Sequence, residues 1–107
     1  MEVIESFLEK AWGDSVENPT SQDVKVAILE TQKMDDEHGA FWVGVFGEND
    51  EEIVLEVDNN LRTTLLLNPE SNEAISKFAE SWDQVIEHFE NLLNGDIERI
   101  NKWITTP

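Results

Sequence analysis

The sequence contains no cysteine, which excludes disulfide bonds and catalysis by a thiolate. A chain without cysteine is compatible with a reducing compartment. Its first residues, Met-Glu-Val-Ile-Glu, are not basic, and no apolar run approaches the roughly 18 residues that a membrane span requires. We therefore expect a soluble, cytoplasmic protein that does not associate with membranes.

The sequence also lacks the common catalytic and metal-binding motifs. Neither His38 nor His88 has a partner at a catalytic spacing, and Glu87-His88 is not part of an HExxH zinc motif. Residues 44–47 lack the lysine and the helix start of a phosphate-binding loop. Residues 48–52 lack the alternating ligands and central glycine of a calcium loop. The sequence therefore favours a protein that is not an enzyme and that uses neither a metal nor another cofactor.

Basic residues are scarce. The chain has 7 Lys and Arg against 24 Asp and Glu, which gives a formal net charge of −17. A field of this sign repels nucleic acid and anionic membranes, whereas it attracts basic proteins and speeds their encounter. A high charge also keeps small proteins soluble, so composition alone leaves two explanations open, a basic protein partner or solubility.

Length and apolar content indicate one folded domain. The chain has 107 residues, of which 39% are hydrophobic, and it contains 4 tryptophans. This content suffices for a single core and is too small for two independent ones. We expect one α+β domain over residues 1–107, in which an antiparallel meander of three to four strands packs with amphipathic helices.

The middle of the chain carries the pattern of the meander. In residues 40–46 apolar side chains occupy both alternating faces, which predicts an internal strand covered on both sides. Residues 52–58 alternate apolar and acidic side chains, which is typical of a strand with one wet face. Turn residues at 47–50 and 58–60 join these strands to each other and to a third strand at 61–67.

Two helices are predicted before the meander. Residues 3–12 place apolar side chains at helical spacing and are followed by Gly13, a typical helix terminator. Residues 18–20, Asn-Pro-Thr, form a helix start signal for a second helix to about residue 34. The residues after this signal also permit an alternating strand, but the start signal and the length favour a helix.

The last third of the chain predicts two more helices. Residues 72–80 suit either a short helix or a fourth, edge strand, and spacing does not separate these alternatives. Ser81 and Gln84 form a capping box for a helix that ends near residue 94. Asp96 then caps a final helix that ends near residue 104.

Acidic residues are concentrated on the first hairpin and on the loop that leads into it. Nine acidic residues and no basic one lie between Lys33 and Arg62. We predict that a basic partner is attracted by this charge and is then held by a few desolvated contacts. The predicted contact residues are Asp35, Asp36, Glu37, Glu48, Asp50, Glu51 and Glu52.

Two other functions are compatible with the sequence. Trp42 and Gly44 share one face of the predicted central strand, where the missing side chain of glycine leaves room for a pocket or a closely packed helix. A pocket there would indicate a small ligand-binding or regulatory domain. The carboxylates could also be spaced like phosphates, as in anti-defence inhibitors that mimic nucleic acid, but their arrangement is not visible in the sequence.

The order of the parts is informative. A leading amphipathic helix and an Asn-Pro-Thr helix start precede a meander that carries Phe-Trp-Val-Gly-Val at 41–45, and a Ser-Trp-Asp-Gln helix starts at 81. In this order the chain resembles the small α+β immunity proteins of bacterial contact-dependent and polymorphic toxin systems. The resemblance is one of pattern over most of the chain and transfers no functional residue. It implies a cytoplasmic inhibitor whose acidic surface occludes the active cleft of one cognate toxin, often a basic nuclease domain.

Overall fold

One antiparallel sheet of six strands forms the framework of the fold. The computed structural model describes residues 1–68 and 73–106. In chain order the strands are β1 (Glu5–Lys10), β2 (Ser15–Glu17), β3 (Ala40–Phe46), β4 (Glu52–Asp58), β5 (Arg62–Asn68) and β6 (Glu73–Phe78). Their order in the sheet is β2-β1-β3-β4-β5-β6, with β3 and β4 at the centre. The predicted α+β class is confirmed, whereas the predicted count of three to four strands is too low.

The N-terminal strand β1 occupies a segment that the sequence predicts to be helical. The apolar residues of 3–12 fit a helical spacing, but the segment is a strand whose residues 5, 7 and 9 point to one side and whose residues 6, 8 and 10 point to the other. Pairing of β1 with β3 buries Leu8 completely and gives the backbone groups of both strands their hydrogen-bond partners. The helix prediction is therefore wrong, because contacts distant in sequence override local spacing.

Strand β6 decides between the two alternatives for residues 72–80. Residues 73–78 form an edge strand that pairs antiparallel with β5, as the second alternative proposed. Residue 72 lies outside the described residues. The exposed side chain of Phe78 and the neighbouring Lys77 are consistent with an edge position.

The described residues contain three helices, α1 (Ser21–Lys33), α2 (Trp82–Leu93) and α3 (Ile97–Thr105). Thr20 starts α1 with a capping box, in which its side chain accepts from the Asp23 N–H and the Asp23 carboxylate accepts from the Thr20 N–H. The Ser81 hydroxyl accepts from the Gln84 N–H at 3.1 Å, as predicted, whereas the Gln84 side chain accepts from the N–H of Glu80 and so does not complete the predicted capping box. Asp96 occupies the N-cap position of α3 but makes no side-chain capping bond there. Each of these helices is too short or too polar to cross a membrane.

All three helices pack on one face of the sheet. The rings of Phe41 on β3 and Phe89 on α2 stack at 5.0 Å between centroids. Lys10 on β1 pairs with Glu30 on α1, and Lys77 on β6 donates to the carbonyl oxygen of Trp103 on α3. The expectation that β3 is covered on both sides is therefore wrong. Helices cover its Phe41 side, while no described helix or strand packs over its other side.

Candidate protein-binding face

The sheet face opposite the helices carries most of the charged side chains of the strands. We call it the open face. Because paired residues on neighbouring strands point to the same side, the strand register assigns side chains to it. Its acidic residues are Glu5, Glu9, Glu17, Glu52, Glu56 and Asp58, and Arg62 is the basic residue that the described strands place on it. The face is therefore strongly acidic.

Two rows across this face share one arrangement, an aromatic residue on β3 with a glutamate on each neighbouring strand. In the first row Glu9 on β1 and Glu56 on β4 are both directly opposite Trp42 on β3. In the second row Glu5 and Glu52 are both directly opposite Phe46. We call these sets the Trp42 row and the Phe46 row. Each row places an aromatic ring between two glutamates on neighbouring strands.

An apolar row separates these two rows. It consists of Phe7, Gly44, Val54, Leu66 and Ala74 on strands β1, β3, β4, β5 and β6. The ring of Phe7 lies over Gly44, where an added Cβ would overlap it. The same ring lies 5.8 Å from that of Phe46, between centroids. Phe7 therefore joins the apolar row to the Phe46 row, and it occupies the space above Gly44 that the small-ligand alternative requires.

Three aromatic rings near the middle of the open face are half-buried by their strand neighbours and stay accessible from solvent, whereas Phe78 on the edge strand β6 is exposed. Phe7, Trp42 and Phe46 all have intermediate exposure. The indole N–H of Trp42 donates to a carboxylate oxygen of Glu9 at 3.2 Å, which fixes the ring against β1. A groove of about 240 Å³ lies beside Phe46 and is lined in part by Phe7 and Glu5. The face thus offers both apolar and charged contacts to a partner.

Burial and like charge act on Glu56 at the centre of the face. Desolvation raises the pKa of its carboxyl, the nearby Asp58 raises it further, and Arg62 lowers it. A raised carboxyl pKa means that the ionised form is disfavoured in the folded protein. A cation bound beside Glu56 would remove this penalty on the ionised form, since it would stabilise the carboxylate.

The seven sequence-predicted contact residues do not form one patch. Asp35, Asp36 and Glu37 lie in the loop before β3, whereas Glu48, Asp50 and Glu51 lie in the hairpin after it. The seven residues of β3 separate these loops by about 20 Å. Glu52 belongs to the Phe46 row and to the same end of the sheet as the hairpin. Their contact with a partner remains a prediction.

The loop before β3 is held by hydrogen bonds within the chain. The backbone N–H of His38 donates to Asp35 at 2.9 Å, and the His38 ring nitrogen Nδ1 lies 3.0 Å from the same carboxylate oxygen. These two hydrogen bonds, the backbone one first, lower the pKa of Asp35. Asn59 also donates to the carbonyl oxygens of Met34 and Asp35, which ties this loop to the turn after β4. Asp35 thus holds the loop together.

The open-face acidic residues that the sequence-based contact set misses are Glu5, Glu9, Glu17, Glu56 and Asp58. Glu56 was recognisable as part of a wet strand face from the alternation of residues 52–58. Glu5 and Glu9 share the open face with Phe7, so their segment does not show the alternation of acidic and apolar residues seen in 52–58, and its spacing predicts a helix. Their position beside β3 depends on a pairing that local sequence does not specify.

Within the described ranges 1–68 and 73–106, no three or more His, Asp or Glu side chains are arranged to hold a metal ion. Comparison with protein-family models, with curated proteins and with solved structures finds no match for this chain.

Proposed function

We propose that this protein is a binding protein and not an enzyme, and that its open face docks on a basic protein partner. In the form that the sequence pattern suggests, it is an immunity protein that neutralises a cognate basic toxin by occluding the active cleft. The observation that carries the proposal is the separation of the two sheet faces. All three helices pack on one face, while the other exposes carboxylates around half-buried aromatic rings.

Charge gives the open face its preference for a basic partner. Lys10 and Lys77 point to the helix side, where Lys10 pairs with Glu30 and Lys77 binds carbonyl oxygens near the end of α3. Of the described strand residues on the open face, Arg62 alone is basic. Complementary charge accelerates the encounter and disfavours acidic competitors.

Aromatic and apolar side chains supply the short-range part of the interaction. Exposed charges alone contribute little net affinity, because their attraction is screened by water and salt. Interfaces obtain most of their affinity from a few buried aromatic or arginine contacts surrounded by polar residues. Phe7, Trp42 and Phe46 lie in the middle of the acidic residues, which matches this arrangement.

Two matched variants test the face. The first, Glu5→Gln, Glu9→Gln and Glu56→Gln, removes three charges from the open face. The second, Glu80→Gln, Glu87→Gln and Glu98→Gln, removes three charges from exposed positions outside it. Since both variants have the same net charge, any difference between them reports position and not total charge.

Each protein is immobilised and exposed to bacterial lysate at low salt. Proteins captured by the wild type are identified, purified and titrated calorimetrically with the wild type and with both variants at two salt concentrations. We expect one basic protein whose affinity falls with salt and is reduced at least tenfold by the open-face variant alone, since about 1.4 kcal/mol corresponds to tenfold. Equal affinity of that protein for the two variants would overturn the proposal.

A further inference from the structure

From the spacing of the rows we infer what the partner presents: two cationic side chains about 14 Å apart with an apolar side chain between them. This inference rests on the proposed function and specifies the surface that the open face recognises.

The distance follows from the strand geometry. Trp42 and Phe46 lie four residues apart on β3, and an antiparallel strand rises about 3.4 Å per residue. The two rows are therefore about 14 Å apart along the sheet. The apolar row lies between them, and at its centre the ring of Phe7 covers Gly44 next to Val54.

Each row has the chemistry of a site for one cation. A positive charge above an aromatic ring is attracted by the negative face of the ring, and the attraction is greatest for tryptophan. In the Trp42 row the glutamates are on both neighbouring strands, within about 5 Å of the tryptophan in the plane of the sheet. A cation above Trp42 is therefore in reach of Glu9 and Glu56. Arginine fits best, since its planar group stacks on rings and binds carboxylates with two hydrogen bonds.

The Phe46 row repeats this arrangement with a weaker ring. Glu5 and Glu52 flank Phe46, and a second groove of about 400 Å³ beside it is lined by Ile4, Glu5 and Asp50. A cation here adds carboxylate contacts, with a smaller contribution from the ring. Two cations engaged together bind more tightly than either alone, provided that the spacer lets both reach their rows.

Two peptides of identical composition test the spacing. The matched peptide is acetyl-Arg-Thr-Leu-Thr-Arg-amide, whose arginines are four residues apart in extended form, as Trp42 and Phe46 are. The control peptide is acetyl-Thr-Arg-Arg-Leu-Thr-amide, which has the same charge and adjacent arginines. Each is titrated into ¹⁵N-labelled protein at low salt, and chemical shifts are followed at the Trp42 indole N–H and at the backbone amides of Gly44 and Phe46.

We expect the matched peptide to bind about two- to fivefold more tightly than the control peptide, with shifts at both rows. Trp42→Leu and Phe46→Leu should each abolish this preference. Trp12→Leu should preserve it, because Trp12 follows β1 beside Lys10 on the helix side. Retained amide spectra of each variant show that the fold is intact.

The remaining outcomes contradict the inference in distinguishable ways. Equal binding of both peptides on the open face overturns the spacing but leaves the proposed face in place. Shifts confined to the helices or to the loops at 35–39 and 47–51 overturn both the spacing and the face. Absence of any shift at millimolar peptide overturns the two-cation site, and the matched charge variants then decide the proposed function separately.

Discussion

The ring of Phe7 lies over the backbone of Gly44 so closely that any side chain at position 44 would overlap it. We predict that Gly44→Ala displaces the ring and lowers the free energy of unfolding by about 1 kcal/mol, as overpacking does. The loss stays small because the ring faces solvent and can move outward, and because alanine restricts the unfolded chain. Urea unfolding measures it.

A double-mutant cycle separates this clash from other effects of the alanine. In a Phe7→Ala background there is no ring to displace, so Gly44→Ala should be neutral or slightly stabilising. If the substitution costs the same with and without Phe7, the two residues are not coupled and the described packing of the open face is wrong.

Glu56 should limit the stability of the free protein. Burial and Asp58 raise the pKa of this carboxyl in the folded state above its value in the unfolded chain. The unfolded state therefore binds fewer protons between the two values, and stability falls as pH rises through this range. We predict that Glu56→Gln raises the free energy of unfolding at pH 7 by about 0.2–1 kcal/mol, the size of partly exposed charge interactions, and changes it little at pH 3.

The same substitution should weaken partner binding, because the charge that destabilises the free protein is one that a cation would neutralise. Chemical denaturation of wild type, Glu56→Gln and the exposed control Glu80→Gln at both pH values tests the stability effect. A Glu56→Gln variant that is less stable than wild type at pH 7 would show that the carboxylate is already satisfied within the protein.

Local sequence was sufficient for the elements with strong start signals. Helix α2 begins directly after its predicted cap Ser81, and α1 begins directly after the predicted start signal at 18–20, with Thr20 as its cap. Strands β3 and β4 were also predictable, since a turn joins the continuous apolar run of 40–46 to the alternating pattern of 52–58. These elements depend on contacts within a few residues.

The open face could not be predicted in the same way. The hydrogen bond between Trp42 and Glu9 spans 33 residues of sequence and exists because β1 pairs with β3. The N-terminal segment has the apolar spacing of a helix, and it forms a strand because pairing with β3 buries Leu8. When that segment is predicted to be a helix, Glu5, Phe7 and Glu9 are not assigned to the sheet. The sequence-based contact set was therefore placed mainly on acidic residues of the loops and not on the open face.

The N-cap residues of α2 and α3 should differ in how much they contribute to stability. We predict that Ser81→Ala lowers the free energy of unfolding by about 1 kcal/mol, because the Ser81 hydroxyl accepts from the Gln84 N–H. Asp96→Ala should cost about half of this or less, since Asp96 makes no capping bond and its exposed pair with Arg99 contributes little. Thermal or urea unfolding of both variants measures the difference. Equal losses would show that Asp96 does cap α3.

His88 should make stability depend on pH. Its ring is buried against the ring of Trp103, at 4.0 Å between centroids, and neither nitrogen has a hydrogen-bond partner among the described residues. Burial lowers the pKa of His88, and Glu87 raises it. Lys77, whose ammonium lies over the ring of Trp103, lowers the pKa of His88 as well. The folded protein therefore favours the neutral imidazole, while the unfolded chain takes up a proton near pH 6.5.

The sign of the effect follows from proton uptake. Below about pH 6.5 the unfolded state binds more protons than the folded state, so the free energy of unfolding falls as pH decreases, by at most about 1.4 kcal/mol per pH unit. We predict this loss between pH 7 and pH 5 in the wild type and a smaller one in His88→Phe, which cannot be protonated. Urea titrations at four pH values measure the two slopes. Identical slopes would mean that the folded protein accommodates a charged His88 and that its ring is more accessible than the packing against Trp103 allows.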